Sequence, residues 1–573
     1  LPEASTVGFD VKCDVAIIGG GPAGATVAGL LRKYNPSLSV AIFEKESFPR
    51  DHVGESQLPG VSAVLHELGV WDKVEAANFP IKLGATLLWG RTKELWSFDF
   101  VPLKEYRDEA RPGQYVGQRR STAFQVDRAI YDKILLDHAV EMGAEIHQPA
   151  GVTHVEHEGD RVTGLRLDTG ETVEARYYVD ASGNPAVVRR ALNIETTVPT
   201  SLQNVAFWDY WRNADWAVEI GVGGTRIQVI SVDYGWLWFI PLGPDRTSLG
   251  FVTSAAFYKS SKLKPEELYL QAIEDAPRIK GLLSNATSEN KFTATKDWSF
   301  VAERSHGENW FLVGESAGFA DPILSAGLTI THSAARELAY TINEIEAGAM
   351  NAEWLKEQFS SRQISRVRNH IRFADYWYSA NGQLKELKEY TAQIAKDQGL
   401  DLDPEKAWRW LALGGFIDED LSSGTGSFTI DFVKSMGEYL SELKFESPLL
   451  TCNTFHLRLE GAELKERAKY QNGRVKLIKC YLRSGKVFPL DGGCGLLHFI
   501  LSQHTNIADI TGRLMAEVEG MRKTNPALRS TILLETIRAL EALTYDGWIA
   551  ASYDSTGLSV DIKREYLSVH WEP

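Results

Sequence analysis

"KCDVAIIGGGPAGATVAGLLRKY", residues 12–34, decides the fold. Val15–Ile18 is a short apolar run of strand character, Gly19-Gly20-Gly21-Pro22-Ala23-Gly24 interrupts it, and a helical pattern follows at once. Gly19 permits the tight turn, Gly21 lets backbone approach a pyrophosphate, and Gly24 lets the helix pack close to the strand. Pro22 and Ala23 open that helix, whose N-terminus faces the phosphates. "VAIFEK", 40–45, then supplies a second strand, with Glu44 twenty residues after Gly24, where an acid accepts from the hydroxyls of an adenosine ribose. A lone glycine triplet is often only a turn. Strand, glycines, helix, strand and acid arriving in order read as a dinucleotide site.

The chain around this segment has 573 residues, enough for about three folding units. Hydrophobic residues make up 44% and charged residues 24%, an ordinary globular balance that argues against long disordered stretches. A net charge of -15 disfavours nonspecific binding to nucleic acid or anionic membrane. Cys13, Cys452, Cys480 and Cys494 show no C-x-x-C spacing, so neither a zinc site nor a disulfide framework is expected, and no other metal site is. No apolar run approaches the roughly 18–20 residues of a spanning helix, and "LPEASTVGFD" lacks a signal pattern. The expectation is a cytoplasmic protein without a membrane partner.

Two later segments point to FAD rather than NAD. "YYVDASGNPAVVRR", 177–190, sets Asp180 at a strand end, and "NWFLVGESAGFADPILSAGLTITHSA", 309–334, is a further strand, turn and helix start. Both resemble segments of glutathione-reductase-like and aromatic-hydroxylase-like flavoproteins, in which the chain returns to the dinucleotide after an inserted substrate domain. That resemblance implies cofactor contacts from Asp180, from Gly314-Glu315, where the family usually has Gly-Asp, and from Arg128, early in "QVDRAIYDKILLDHA", 125–139. An amphipathic helix with one exposed arginine explains Arg128 equally well. Arg50 and Asp321 are also assigned to the cofactor side.

"GWLWFIPLG", 235–243, places Trp236 and Trp238 on one face of a strand and Leu237 and Phe239 on the other. Such a strand is buried on both faces, or one face lines an apolar cavity. Trp236-x-Trp238-x-Ile240-Pro241 and Phe319-x-x-Pro322-x-x-Ser325-x-Gly327 resemble the two signatures of flavin-dependent halogenases, over roughly residues 12–380. "FPRDHVGESQLPG", "NFPIKLGATLLWG" and "KDWSF" are similar to the subgroup containing the chloramphenicol and chondrochloren halogenases. The resemblance implies an enzyme that takes FADH2 from a separate reductase and uses O2 and chloride or bromide to make hypohalous acid, which halogenates an electron-rich carbon of a free or carrier-tethered metabolite. It further implies a halide site at Ser325-Ala326-Gly327, Trp236 and Trp238 as the wall between flavin and substrate, Lys82 as the halogen carrier and Glu55 as the acid. Asp297 of "KDWSF" would orient or bond the ring, or face solvent as a strand-end acid. Glu55 has an alternative as the cap of a helix starting near residue 58, and both indoles have one as core packing.

These readings give an α/β fold. Residues 1–350 form a Rossmann-like, aromatic-hydroxylase-type FAD domain with an inserted antiparallel substrate-side sheet at about 80–125 and 195–300. A helical connection, 351–450, carries His370 and the aromatics Phe373, Tyr376, Trp377 and Tyr378, which roof a cavity or fill a core. Residues 451–573 read as strands, three helices and a closing hairpin, a winged-helix-like order. That region has 16 Lys and Arg against 14 Asp and Glu, with only Arg529 and Arg538 on its third helix, so nucleic acid is not the expected partner. Covering the substrate tunnel, or docking a carrier protein or peptide, is the expected role. The rival functions are an FAD monooxygenase or prenyl-reductase-like oxidoreductase, and a flavin-gated nucleic-acid-binding regulator.

Overall fold

A computed structural model describes residues 10–89, 95–101, 106–199, 202–296, 299–380, 447–483, 486–522 and 526–558. They form two compact units. The first takes in the described residues up to 375 together with 470–475, and the second takes in the remainder.

The first unit is built on a seven-stranded sheet. Its centre is β1 (Val11–Ile18), flanked by β2 (Val40–Phe43) and by the strand Thr172–Asp180, both parallel to it. Glu145–His147 and Trp310–Leu312 add further parallel strands, and the hairpin Val152–Glu158/Arg161–Leu167 extends one edge antiparallel. Val15–Ile18 and Val40–Phe43 are buried throughout, because α1 (Pro22–Tyr34) and Gly327–Ala347 cover one face with Val27, Leu30, Leu31, Leu338 and Ile342. One feature of the register locates the site. Ile18 pairs with Phe43 and with Asp180, and Asp180 pairs with Leu312, so four parallel strands end in one row. The loops leaving that row converge at the carboxyl edge, where ligands of open α/β sheets bind.

The inserted sheet has nine strands, and its long members are antiparallel neighbours: Asn204–Arg212, Arg246–Ser254, Gly235–Pro241 and Gly224–Val232. One pairing differs from the expectation of a purely antiparallel sheet. Ile81–Leu88 runs parallel to Gly224–Val232. The outer face packs on helices Pro265–Glu274 and Pro277–Leu282 through Leu237, Phe239, Phe251, Leu268 and Ile279.

Glu463–Gln471, Arg474–Arg483 and Lys486–Pro489 form a three-stranded sheet that, residues 470–475 apart, belongs to the second unit, and the helices Gly492–Leu501, Ile507–Arg522 and Pro526–Tyr545 follow around a core of Phe455, Leu497, Ile510, Leu543 and Trp548. Strands and three helices thus occur in the expected order. After the helices, Ile549–Ser552 pairs with Thr454–Leu457 from the start of the region. The end of the expected hairpin and most of the helical connection lie outside the described residues. Along helix Ala352–Ala380, His370 Nδ1 lies 2.7 Å from the Arg366 carbonyl oxygen, and Trp377 and Tyr378 are buried. Among the described residues no helix is long and apolar enough to cross a membrane.

Candidate active site

A cavity of about 360 Å³ opens where the four strands end. It is lined by Gly19, Gly21, Pro22 and Ala23, by Glu44, Arg50 and Arg128, by Gly314 and Glu315, and by Trp236 and Trp238. The residues fit a dinucleotide. Gly21, the N-cap of α1, supplies no side-chain cap and lines the cavity, leaving first-turn amides for a ligand. Gly19 sits at φ +103°, and a Cβ on Gly24 would come within 2.0 Å of the Gly19 carbonyl oxygen, so both glycines are demanded by geometry. Arg128 is buried, binds Asp132 through Nε and Nη2 at 2.6 and 2.9 Å, and donates to the Val53 and Gly54 carbonyls, which fixes the segment leading to Glu55. Arg50 reaches the same Asp132 at 3.1 Å and stacks on Phe48. Burial pushes the Glu315 carboxyl up, and Arg128 opposes this.

Glu55 lines the cavity and is 2% exposed, with Oε1 lacking a hydrogen-bond partner. Burial raises its pKa to about 7, against the pull of the Tyr210 and Ser248 hydroxyls and of Arg128 and Arg246. It does not cap the helix Pro59–Leu68, whose N-cap, Leu58, has no side-chain hydrogen bond. Trp236 and Trp238 are buried with ring centroids 6.0 Å apart; Trp89 meets the first edge-on, Trp208 flanks the second, and Trp238 Nε1 donates to Ser248 Oγ at 3.2 Å. They are packed core and cavity wall at once.

Lys82 is 1% exposed and is not one of the cavity-lining residues. Its Nζ lies 5.7 Å from the Phe100 ring centroid, and among the described residues it forms no ion pair or hydrogen bond. Burial alone lowers its pKa to about 7. Its direction follows from an irregularity in the parallel pairing: Lys82 is opposite Thr225, but Gly84 is opposite Arg226, so Leu83 is an extra residue. The bulge moves Lys82 onto the face shared by Thr225, Ile227 and Val229, of which the last two line the cavity. Ser325 and Gly327 also line it, while Ala326 is buried behind them as the N-cap of Gly327–Ala347, again without a side-chain cap. Ser325 sits at φ +53°, turning the chain so that the helix start meets the cavity.

Comparison with known proteins agrees with this geometry. A sequence model of the tryptophan halogenase family matches residues 14–120 and 107–385. The chain belongs to that family. It is a flavin-dependent halogenase, and therefore an FADH2-dependent oxidoreductase acting with O2 and halide. Among its relatives, a 1H-pyrrole-2-carbonyl-[peptidyl-carrier protein] chlorinase of Pseudomonas fluorescens is 32% identical over 64% of this chain and 82% of that protein. The solved structure of the myxobacterial chondrochloren halogenase is similar over 75% of this chain and 97% of that one, at 28% identity and a TM-score of 0.59. The flavin-dependent halogenase CmlS shares the fold over 97% of this chain and 98% of its own, with a TM-score of 0.70 at 23% identity.

In the halogenase three expected cofactor-side acids are engaged with protein. The Glu44 oxygens accept from the amides of Gly20 and Glu46 at 2.7 and 2.9 Å while the residue lines the cavity. Asp180 accepts from Ser182 and from the amides of Val188 and Arg189, so its carboxylate shapes the turn and the following Ala181, Ser182 and Gly183 face the cavity. Asp321 caps Ile323 and accepts from Asn204. Asp297 lies outside the described residues.

Residues missed by sequence reasoning include Tyr210 and Ser248 beside Glu55, and Gly250. Gly250 pairs with Trp238 across strands, and a Cβ there would come within 2.1 Å of the indole. Gly250→Val is expected to drive Trp238 from its place, costing about 1–3 kcal/mol of stability and shifting tryptophan emission, as read by fluorescence during thermal unfolding. No local pattern marks this glycine, because only the register brings it under the indole.

Proposed function

We propose that this halogenase chlorinates or brominates an electron-rich carbon, of a phenol, pyrrole or enolisable carbonyl, with Lys82 carrying the halogen and Glu55 managing the proton. The observation that carries the reading is a lysine buried without a counter-charge on the cavity's own sheet face. The Gly19–Gly24 loop, Glu44, Arg50, Arg128 and Glu315 would hold FAD, arriving reduced from a separate flavin reductase. With O2, the bound cofactor supplies the two-electron oxidation of halide to hypohalous acid. The amides around Ser325–Gly327 hold the halide at a positive helix end. Trp236 and Trp238 exclude the substrate from the flavin side, which favours halide over substrate as the species oxidised there. Lys82, half neutral near pH 7, accepts the halogen, and the substrate carbon then takes it and returns a proton to the nitrogen. Glu55, with its pKa near 7, donates to the departing oxygen and recovers the proton from the amine.

The carrier-protein substrate of the pyrrole chlorinase relative supports a tethered ring as one form of substrate. The test offers phenols and pyrroles, free and linked to a carrier protein, with FADH2, O2, bromide and catalase, and reads products by mass spectrometry. Brominated product is expected. Hydroxylated product in the presence of bromide would transfer the chain to monooxygenase chemistry.

A further inference from the structure

Buried polar atoms nearly always find a hydrogen-bond partner, so a group of orphans beside a reactive lysine requires a reason. Gln125 is 0% exposed, yet both its Oε1 and Nε2 lack partners, and so does Oγ of Ser56, which is 7% exposed. The register puts these two side chains in line with Lys82. Ser56 faces Gln125 in an antiparallel bridge. The Gln125 amide donates to the Pro80 carbonyl, Ile81 pairs with Phe124, and Lys82 pairs with Ala123. Ser56, Gln125, Ala123 and Lys82 therefore share one face, while Phe124 turns to the other and joins the core with Trp71. Gln125 is the diagonal neighbour of Lys82, a relation that separates Cα atoms by about 7–8 Å and is bridged by long side chains. The residue directly opposite Lys82 is the small Ala123. At the other end Ser56 lines the cofactor cavity, which Lys82 does not.

We infer that Ser56 and Gln125 are positioning residues that hold hypohalous acid between the cofactor cavity and Lys82. The inference rests on the lysine reading above. A carboxamide suits this guest better than a bare anion, because its N–H donates to the acid's oxygen while its carbonyl, like the serine hydroxyl, accepts the O–H. Held so, the molecule presents its halogen to the lysine. The amine lone pair attacks the halogen, the N–halogen bond forms as the O–halogen bond breaks, and the oxygen leaves as water with the proton of Glu55, which the amine nitrogen then returns to the carboxylate.

The experiment needs no substrate. Wild type, Lys82→Ala, Gln125→Leu, Gln125→Asn and Ser56→Ala, each loaded with FADH2, are given O2 and bromide and then rapidly desalted. Oxidising equivalents remaining on the protein are titrated with iodide, and hypobromous acid escaping to solution is measured with monochlorodimedone. Wild type is expected to retain equivalents and Lys82→Ala to retain none. Gln125→Leu should retain about tenfold fewer while escape to solution continues, Ser56→Ala should fall in the same direction, and Gln125→Asn, which keeps the amide, should recover part of the loss. Equal falls in retention and escape would mean damage to the cofactor site and would overturn the inference. So would wild-type retention in both Gln125→Leu and Ser56→Ala with Lys82→Ala empty, which leaves the lysine reading intact. Lys82→Ala retaining as much as wild type would remove the lysine reading and this inference together.

Discussion

Lys82→Ala and Lys82→Met are expected to lower halogenation of any accepted substrate by about 10³-fold or more while FADH2 is still consumed. The magnitude follows from protonation. An exposed lysine at pH 7 is almost wholly ammonium, whereas a pKa lowered to about 7 by burial makes about half of the side chain a free amine, roughly a thousandfold gain in nucleophile. Lys82→Arg is expected to fail equally, because guanidinium stays protonated at any usable pH. Stability moves the opposite way. Since the folded chain binds this proton less tightly than the unfolded one, the penalty is full below about pH 7, shrinks as pH rises, and vanishes above about 10.4, the ordinary lysine value. Lys82→Met should therefore stabilise the folded chain most at pH 6, by a few kcal/mol, and hardly at all above pH 10, as read by denaturant unfolding. Loss of halogenation together with gain of stability at pH 6 separates a functional lysine from a structural one. A variant that keeps halogenating would end the carrier role, and one that loses stability at pH 6 would show that the lysine's stem supports the sheet.

Much of this site is legible in the chain because its parts are local. The turn Gly19–Gly24, the apolar strands beside it and the start of α1 need only neighbours in sequence to take their shape, and the structure gives each the conformation expected. The indole pair follows from strand periodicity, and its burial on both faces is observed. Long-range pairing was not legible. Whether Lys82 turns toward the cavity or away depends on the bulge opposite Thr225 and Arg226, and nothing within "NFPIKLGATLLWG" announces an extra residue. The raised Glu55 pKa depends likewise on Tyr210 and Ser248, which arrive from two other strands. Asp180 illustrates the converse. The resemblance implies a cofactor contact from it, but the amides of Ser182, Val188 and Arg189 occupy its oxygens.

Glu55→Gln is expected to reduce halogenation by about 10²–10³-fold, the usual worth of a positioned acid, without loss of FADH2 consumption. Glutamine keeps the shape and a hydrogen-bonding capacity beside Tyr210 and Ser248 but has no proton to give, so the variant isolates the acid function from the packing. The pH profile adds a second readout. In wild type the protonated carboxyl is lost as pH rises through about 7, while the neutral amine of Lys82 is gained through the same range. Their product gives a narrow optimum close to pH 7, with an acid limb belonging to the lysine and an alkaline limb belonging to the glutamate. Glu55→Gln should abolish the alkaline limb and leave the residual rate rising through pH 7 to a plateau. Its stability profile should diverge from wild type in the same window, equal below about pH 4.5 and more stable by a few kcal/mol above pH 7, since a carboxyl raised by burial penalises the folded state as it ionises. If the variant retains the bell-shaped profile, the alkaline limb belongs to another group and Glu55 is a neutral wall residue. If the profile changes as expected, the buried Glu55 carboxyl is the proton source for the halogen step.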